Sequence, residues 1–303
     1  MSPSFTPRFI SACDGRKLRT GVFAAQQAAQ GVCVLLHGQT EFIEKYEEVI
    51  GELNGRGFTV ATFDWRGQGG SARGQANPLP AHVGDFSEYD DDLSSFLEQI
   101  VRPLAARPPL ALAHSMGAHI LLRTLHDRPG VFRAAVLSAP MIAFSARGYP
   151  ARLARGVTAL YNAAGRSRDF AWGMATRDPF LVDFDSQLVT SDRARFARAQ
   201  EFLSRHPDLR LAGPSWGWLE AAYRSMAQMQ RPGYAEAIAT PTLICGPGKD
   251  RICITAATEA FAKRMPHATY VELADSEHEI LMENDSIRAR FWSAFDTFTA
   301  ENA

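Results

Sequence analysis

Short, continuous apolar runs at residues 31–36 (Gly-Val-Cys-Val-Leu-Leu), 58–63, 110–113 and 134–137 carry the pattern of strands buried on both faces. Amphipathic stretches lie between them. Tyr46, Val49, Ile50 and Leu53 recur at helical spacing and are closed off by Gly55 and Gly57; Tyr89, Leu93, Phe96, Leu97, Ile100 and Val101 form the apolar stripe of a second helix. Ser87, with Asp90 three residues on, resembles a capping box opening that helix. A third helix is predicted from the end of the 110–113 run to about Asp127, where Arg128-Pro-Gly130 stops it. Upstream, residues 8–10 and 18–23 flank Asp14-Gly15 and read as a hairpin, and 24–30 is a polar, alanine-rich loop.

The alternation stops after the 134–137 run. Residues 141–232 carry no clear strand, only helical fragments broken by Gly148, Pro150, Gly156, Gly165, Pro179, Pro207 and Gly213-Pro214. It resumes with a strand at 242–245, a helix at 254–265 and a strand at 269–273. A last helix follows, with Ile287, Phe291, Phe295 and Phe298 on one face. This order predicts an α/β fold with a mostly parallel sheet flanked by helices. Its core would be 1–140 and 233–303, interrupted by a helical insertion at 141–232.

Composition narrows the field. Over 303 residues the net charge is −1, so no global basic field points to nucleic acid. The four cysteines, Cys13, Cys33, Cys245 and Cys253, show no C-x-x-C spacing, which argues against a zinc site or a disulfide framework. No H-E-x-x-H or comparable ligand cluster appears, so no metal and no cofactor are expected. The first residues lack a basic stretch followed by an apolar one, and no apolar run reaches membrane-spanning length; the expectation is a cytoplasmic protein.

The candidate chemistry centres on Ala113-His-Ser-Met-Gly117, where a strand passes straight into a helix with a serine at the apex. A serine on so sharp a turn is exposed at the strand end, and the positions two before and two after it must be small. A serine hydroxyl also needs a base, and the base an orienting acid. In the resumed α/β part, Gly246-Pro-Gly-Lys-Asp250 and Ala274-Asp-Ser-Glu-His278 each open at the carboxyl end of a strand, the edge where parallel sheets place their chemistry. Ser115, Asp250 and His278 are therefore the expected nucleophile, orienting acid and base. Asp275 and Glu277 lie too close in sequence to His278 to reach the far side of its ring, and His114 is expected to point away from the site. The backbone N–H groups of Gln39, in the turn after the 31–36 strand, and Met116 are the expected oxyanion donors. Gly67-x-Gly69-x-x-Ala72 nominally fits a dinucleotide fingerprint. No helix can follow it through Pro78 and Pro80, so it reads as a loop.

Together, His37-Gly38, Asp64-Trp-Arg-Gly-Gln-Gly69 with Ser71, His82-Val-Gly-Asp-Phe86, Ala113-His-Ser-Met-Gly117 and the Asp250 and His278 loops resemble the α/β-hydrolases. Within them the chain is similar to the monoacylglycerol lipase and bacterial lysophospholipase group. The resemblance implies an eight-stranded sheet, a helical cap over the serine, and hydrolysis of carboxylic esters of single-chain lipids through an acyl-enzyme. Ala113 stands where the group usually has Gly, and Ala118 where a further Gly is usual. A short-chain carboxylesterase, a lactonase, a serine peptidase or a non-catalytic ligand-binding protein of the same fold are the alternatives.

The insertion should govern substrate choice. It is rich in large apolar residues: Phe144, Tyr149, Leu153, Leu160, Tyr161, Phe170, Trp172, Phe202, Trp216, Trp218 and Tyr223. It has 13 Arg, no Lys and 8 Asp plus Glu, a net charge of +5 against −6 for the remainder. Two readings follow. One is an apolar acyl tunnel under a cap whose Arg-rich face meets an anionic membrane; the other is a self-packed cap with a solvated cationic face.

Overall fold

A computed structural model describes residues 6–26, 30–74, 77–145, 151–172 and 182–302. Tyr149 and residues 27–29 of the alanine-rich loop lie outside these. Eight strands form one sheet in the order β1-β2-β4-β3-β5-β6-β7-β8. β1 (Arg8–Ser11) and β2 (Lys17–Phe23) make the expected hairpin, and β2 joins β4 (Phe58–Phe63) antiparallel. From β4 onward every pairing is parallel, through β3 (Gly31–Leu36), β5 (Leu110–His114), β6 (Ala134–Ser138), β7 (Thr242–Pro247) and β8 (Ala268–Leu273).

The apolar runs are continuous because helices cover both faces of the central strands. Alternate residues go to opposite sides. Val34, Leu36, Ala111 and Ala113 face the core shared with helix α2 (Ser87–Phe96) and helix α3 (Ser115–Asp127). Cys33, Leu35, Leu110 and Leu112 face the core shared with α1 (Glu47–Gly55) and the last helix, whose Ile287, Phe291, Phe295 and Phe298 are buried as its spacing predicts. The start of α2 differs from expectation. Asp85 and Glu88 make the reciprocal bonds there: Ser87 N, the first of the helix, donates to Asp85 Oδ1 (2.9 Å), and Glu88 Oε1 reaches back to accept from Gly84 N (2.9 Å) and Asp85 N (3.2 Å), just before it. The box sits two residues earlier than Ser87 and Asp90 suggest. Asp90 is drawn off to Arg123 of α3 at 2.5 Å.

Between β6 and β7 the described residues form α4 (Ala151–Ala163), α5 (Arg193–Arg205), α6 (Trp216–Met229) and short 3-10 turns, with no named strand. Arg195 of α5 ties this segment to α1 through Glu48 (2.6 Å) and to the last helix through Asp285 (2.6 Å). His119 ties it to α3, with Nδ1 on the Met141 carbonyl and Nε2 on Ser225 Oγ, both at 2.7 Å. After β7 come α7 (Thr255–Ala262), β8 and α8 (Asp285–Glu301).

Candidate active site

At the end of β5 the chain reverses within one residue. His114 is extended, Ser115 has φ 51°, and α3 begins. A positive φ on a residue with a Cβ is strained backbone, which the packing around the turn must hold in place. Gly117 is the clearest part of that packing: a Cβ on it would lie 2.5 Å from the His37 carbonyl oxygen and 2.7 Å from that of Leu36. Only glycine lets α3 pass this close beneath the end of β3. Ala113, two residues before the serine, is accommodated with its methyl fully buried.

Ser115 Oγ lies 2.9 Å from His278 Nε2, and His278 Nδ1 lies 2.7 Å from Asp250 Oδ2. All three side chains are buried or nearly so. The other Asp250 oxygen accepts from the backbone N–H groups of Ile252 and Cys253, both at 2.8 Å, which locks the carboxylate's orientation. A carboxylate only accepts, so Nδ1 of His278 carries the proton and Nε2 turns its lone pair to the serine hydroxyl. That arrangement can remove a proton from Ser115 as the serine attacks a carbonyl. The rejected acids lie elsewhere: Asp275 reaches Lys249 (3.6 Å) and Glu277 reaches Arg251 (3.2 Å).

The turn after β3 is held from two sides. Glu41 Oε2 accepts from Gly38 N (2.5 Å), and Gln68 Oε1 accepts from Thr40 N (2.7 Å), with Thr40 itself at φ 63°. Gln39 N–H, between them, and Met116 N–H, at the first turn of α3, have no acceptor among the described residues. Two free donors beside Ser115, one at a helix N-terminus, are the elements of an oxyanion site.

His114 corrects an expectation. By strand alternation it does face away from the Ala113 side, but the His278 loop and the Gly38–Glu41 turn fold over that same face. Its ring packs 4.9 Å from that of His278. Burial pulls the His114 pKa down to about 3, so it is a neutral spacer there. Asp64-Trp-Arg-Gly-Gln-Gly69 is scaffold. Asp64 binds Arg19 (2.6 Å) and Gly70 N (2.8 Å), Trp65 Nε1 donates to the His37 carbonyl (2.9 Å), and Arg66 pairs with Asp92 (2.6 Å). The roles of Glu41 and Lys45 escaped the reading of the sequence, and Gln68 stood there only as a member of the Asp64–Gly69 motif. For Glu41 and Lys45 the local signal was their spacing of four.

Asp250, Cys253 and His278 bring three possible ligand atoms within 4.8 Å of one another. The donor set suits hydrogen bonding better than a metal. Burial and the negative charge of Asp250 push the Cys253 thiol well above the usual range, and the facing atoms of Asp250 and His278 are already bonded to each other.

The sheet order, the strained serine turn and the residues at its strand ends define an α/β-hydrolase. A family model described as serine aminopeptidase, S33, matches residues 27–285, and the chain belongs to that family. Lysophospholipase L2 of Escherichia coli strain K12 is 32% identical over 265 residues, covering 85% of this chain and 77% of the relative. Human monoglyceride lipase is 27% identical over 136 residues, 45% of this chain and 43% of that protein. Among solved structures, a soluble variant of Saccharomyces cerevisiae monoglyceride lipase in complex with a substrate analog superposes with a TM-score of 0.75 at 20% identity, covering 100% of this chain and 99% of the other. The monoacylglycerol lipase of Paleococcus ferrophilus gives 0.71 at 22%, covering 94% and 99%. These last two likenesses speak for the fold.

Proposed function

We propose that this protein is a serine hydrolase that cleaves carboxylic esters of single-chain lipids, monoacylglycerols or lysophospholipids, through an acyl-enzyme. The observation that carries the reading is the continuous relay from Ser115 Oγ through His278 to Asp250, at 2.9 and 2.7 Å. Ser115 attacks the ester carbonyl as His278 takes its proton. The oxyanion is held by the N–H groups of Gln39 and Met116. His278 then protonates the leaving alcohol, and a water activated by the same ring releases the fatty acid. Asp250 fixes the ring's tautomer. The substrate class is supported by the relatives, named lysophospholipase L2 and monoglyceride lipase.

In this reading residues 141–232 form a cap over Ser115 that selects the acyl chain. Peripheral membrane contact through the cap is supported by Leu153, Leu160 and Trp172, which are 54%, 67% and 65% exposed. No helix among the described residues is long and apolar enough to cross a membrane.

The test is a hydrolysis panel pairing monoacylglycerols with lysophospholipids at matched acyl length, beside short-chain esters and aminoacyl amides. The Ser115→Ala protein serves as blank, and all samples are probed with a fluorophosphonate. Turnover of the long-chain esters and complete loss of labelling in Ser115→Ala are expected. Labelling that survives the substitution, or a preference for the amides, overturns the reading.

A further inference from the structure

Beside the relay lies a buried charge cluster that the reaction, as drawn, does not use. Lys45 Nζ donates to Glu41 Oε1 at 2.7 Å and to Glu279 Oε1 at 2.6 Å. Glu41 is 4% exposed and Glu279 9%, and the Lys45 side chain is 13% exposed. Burying three charges is costly unless their geometry is good and the remaining lone pairs are bonded. Glu41 meets that condition through its second oxygen, which accepts from Gly38 N (2.5 Å) and from Tyr46 OH (2.7 Å). Glu279 directly follows His278 in the chain, and its own N–H is held by the Val189 carbonyl at 2.7 Å. Lys45 thus joins the turn that carries Gln39 N–H to the loop that carries His278.

We infer that Lys45, Glu41 and Glu279 form a positioning bridge that sets the oxyanion turn and His278 relative to each other for the reaction. The inference rests on the relay reading above. Three alternatives make the bridge informative rather than incidental. A surface ion pair would be solvated, whereas this one is enclosed. A purely local pair would join neighbours, whereas Lys45 and Glu279 are 234 residues apart in sequence. A merely cohesive contact has no reason to end on the donor turn, whereas Glu41 binds the N–H next to the free one. None of the three touches the reacting atoms, so their effect falls on transition-state stabilisation, which depends on donor placement to fractions of an ångström.

The test compares kcat, KM and the fluorophosphonate labelling rate of native protein, Lys45→Met, Lys45→Arg and Glu279→Gln, with thermal unfolding as the control. Lys45 and Glu279 line a cavity of about 120 Å³, which leaves space beside the Lys45 side chain for the longer guanidinium of Lys45→Arg. Lys45→Met should lower kcat and the labelling rate about 10- to 100-fold, less than deleting a donor outright, with KM within about threefold. Lys45→Arg should recover most of that loss, and Glu279→Gln should show the same split with a smaller drop. Lys45→Met that folds and reacts within twofold of native overturns the bridge, as does a loss that Lys45→Arg does not relieve. If Lys45→Met does not fold, Glu279→Gln decides alone: kcat reduced with KM kept supports the bridge, and native kcat removes it. Ser115→Ala separates the two claims. Labelling that survives there removes the relay itself, whereas labelling lost there and unchanged in Lys45→Met removes only the bridge.

Discussion

Gly117 shows how much of the site is decided by single atoms. Its missing Cβ leaves room for the carbonyl oxygens of Leu36 and His37, which are backbone atoms and have no rotamer to yield. Gly117→Ala forces α3 away from the end of β3, and overpacking of this kind costs about 1–3 kcal/mol. The Met116 N–H moves with the helix, so kcat falls together with stability. Urea unfolding and steady-state kinetics on the same variant check this, and unchanged values of both would refute it. The contrast with position 113, where a methyl is accommodated in the apolar core, shows that the two small positions of the turn are not equivalent: only the one on the helix side is closed off by backbone. This requirement was legible in the sequence because the turn is local, strand to serine to helix in a few residues. His114 was misread for a related reason. Alternation correctly turns it to the other face, but which loops cover that face is decided by residues far along the chain.

At the scale of elements, a clamp joins α5, in the segment between β6 and β7, to α1 and α8. Arg195 gathers Glu48, Asp192 and Asp285, while Arg198 and Arg288 approach Glu48 from other sides. The hydrogen bond from Arg195 is the main cause that draws the Glu48 pKa from 4.5 down to about 2. A carboxyl whose pKa is depressed on folding contributes stability that is complete above its unfolded value and is lost as pH falls through its folded value. The clamp is therefore fully effective above about pH 5 and weakens progressively between 4.5 and 2. Arg195→Met should lower the unfolding free energy by about 1–2 kcal/mol at pH 7. The gap between native and variant should shrink steadily in urea titrations at pH 5, 4 and 3, and a gap that stays constant down to pH 3 contradicts the assignment. The elements themselves were readable because each has one dominant driving pattern, such as the continuous burial of β3 or the Phe291–Phe295 stripe of α8. The cap of α2 was placed two residues late because Ser87 and Asp90 satisfy the same local rule as Asp85 and Glu88. The choice was made by Arg123, which claims Asp90 from another helix.

For the whole molecule, the relay was legible and the bridge was not. Ser115, Asp250 and His278 each follow a strand, so sheet topology alone gathers them at one edge. Lys45 and Glu279 become neighbours only once the turn Ile43–Tyr46, just before α1, and the β8–α8 loop pack on the same face, and no local pattern announces that. The same scale governs how the protein would meet a lipid surface. Leu153 and Leu160 are seven residues apart, on one side of α4, and the exposed Trp172 packs against Tyr161 of that helix at 5.3 Å. Many of the insertion's arginines are already engaged: Arg166 with Asp169, Arg193 with Asp185, Arg195 with Glu48 and Arg224 with Asp85. Apolar insertion should therefore dominate and charge should modulate it. Leu160→Ser removes most of one buried leucine's worth of transfer energy, about 1.5 kcal/mol, and should weaken co-sedimentation with phosphatidylglycerol vesicles roughly tenfold. Raising the salt from 0.1 to 0.5 M should cost only a few-fold, because Debye screening acts on the residual charge and not on the apolar stripe. Hydrolysis of a short, freely soluble ester by the same variant should stay native, since the stripe faces outward. Equal pelleting of native and Leu160→Ser proteins would remove α4 as the membrane-facing element, and binding abolished by salt alone would assign the contact to the arginines instead.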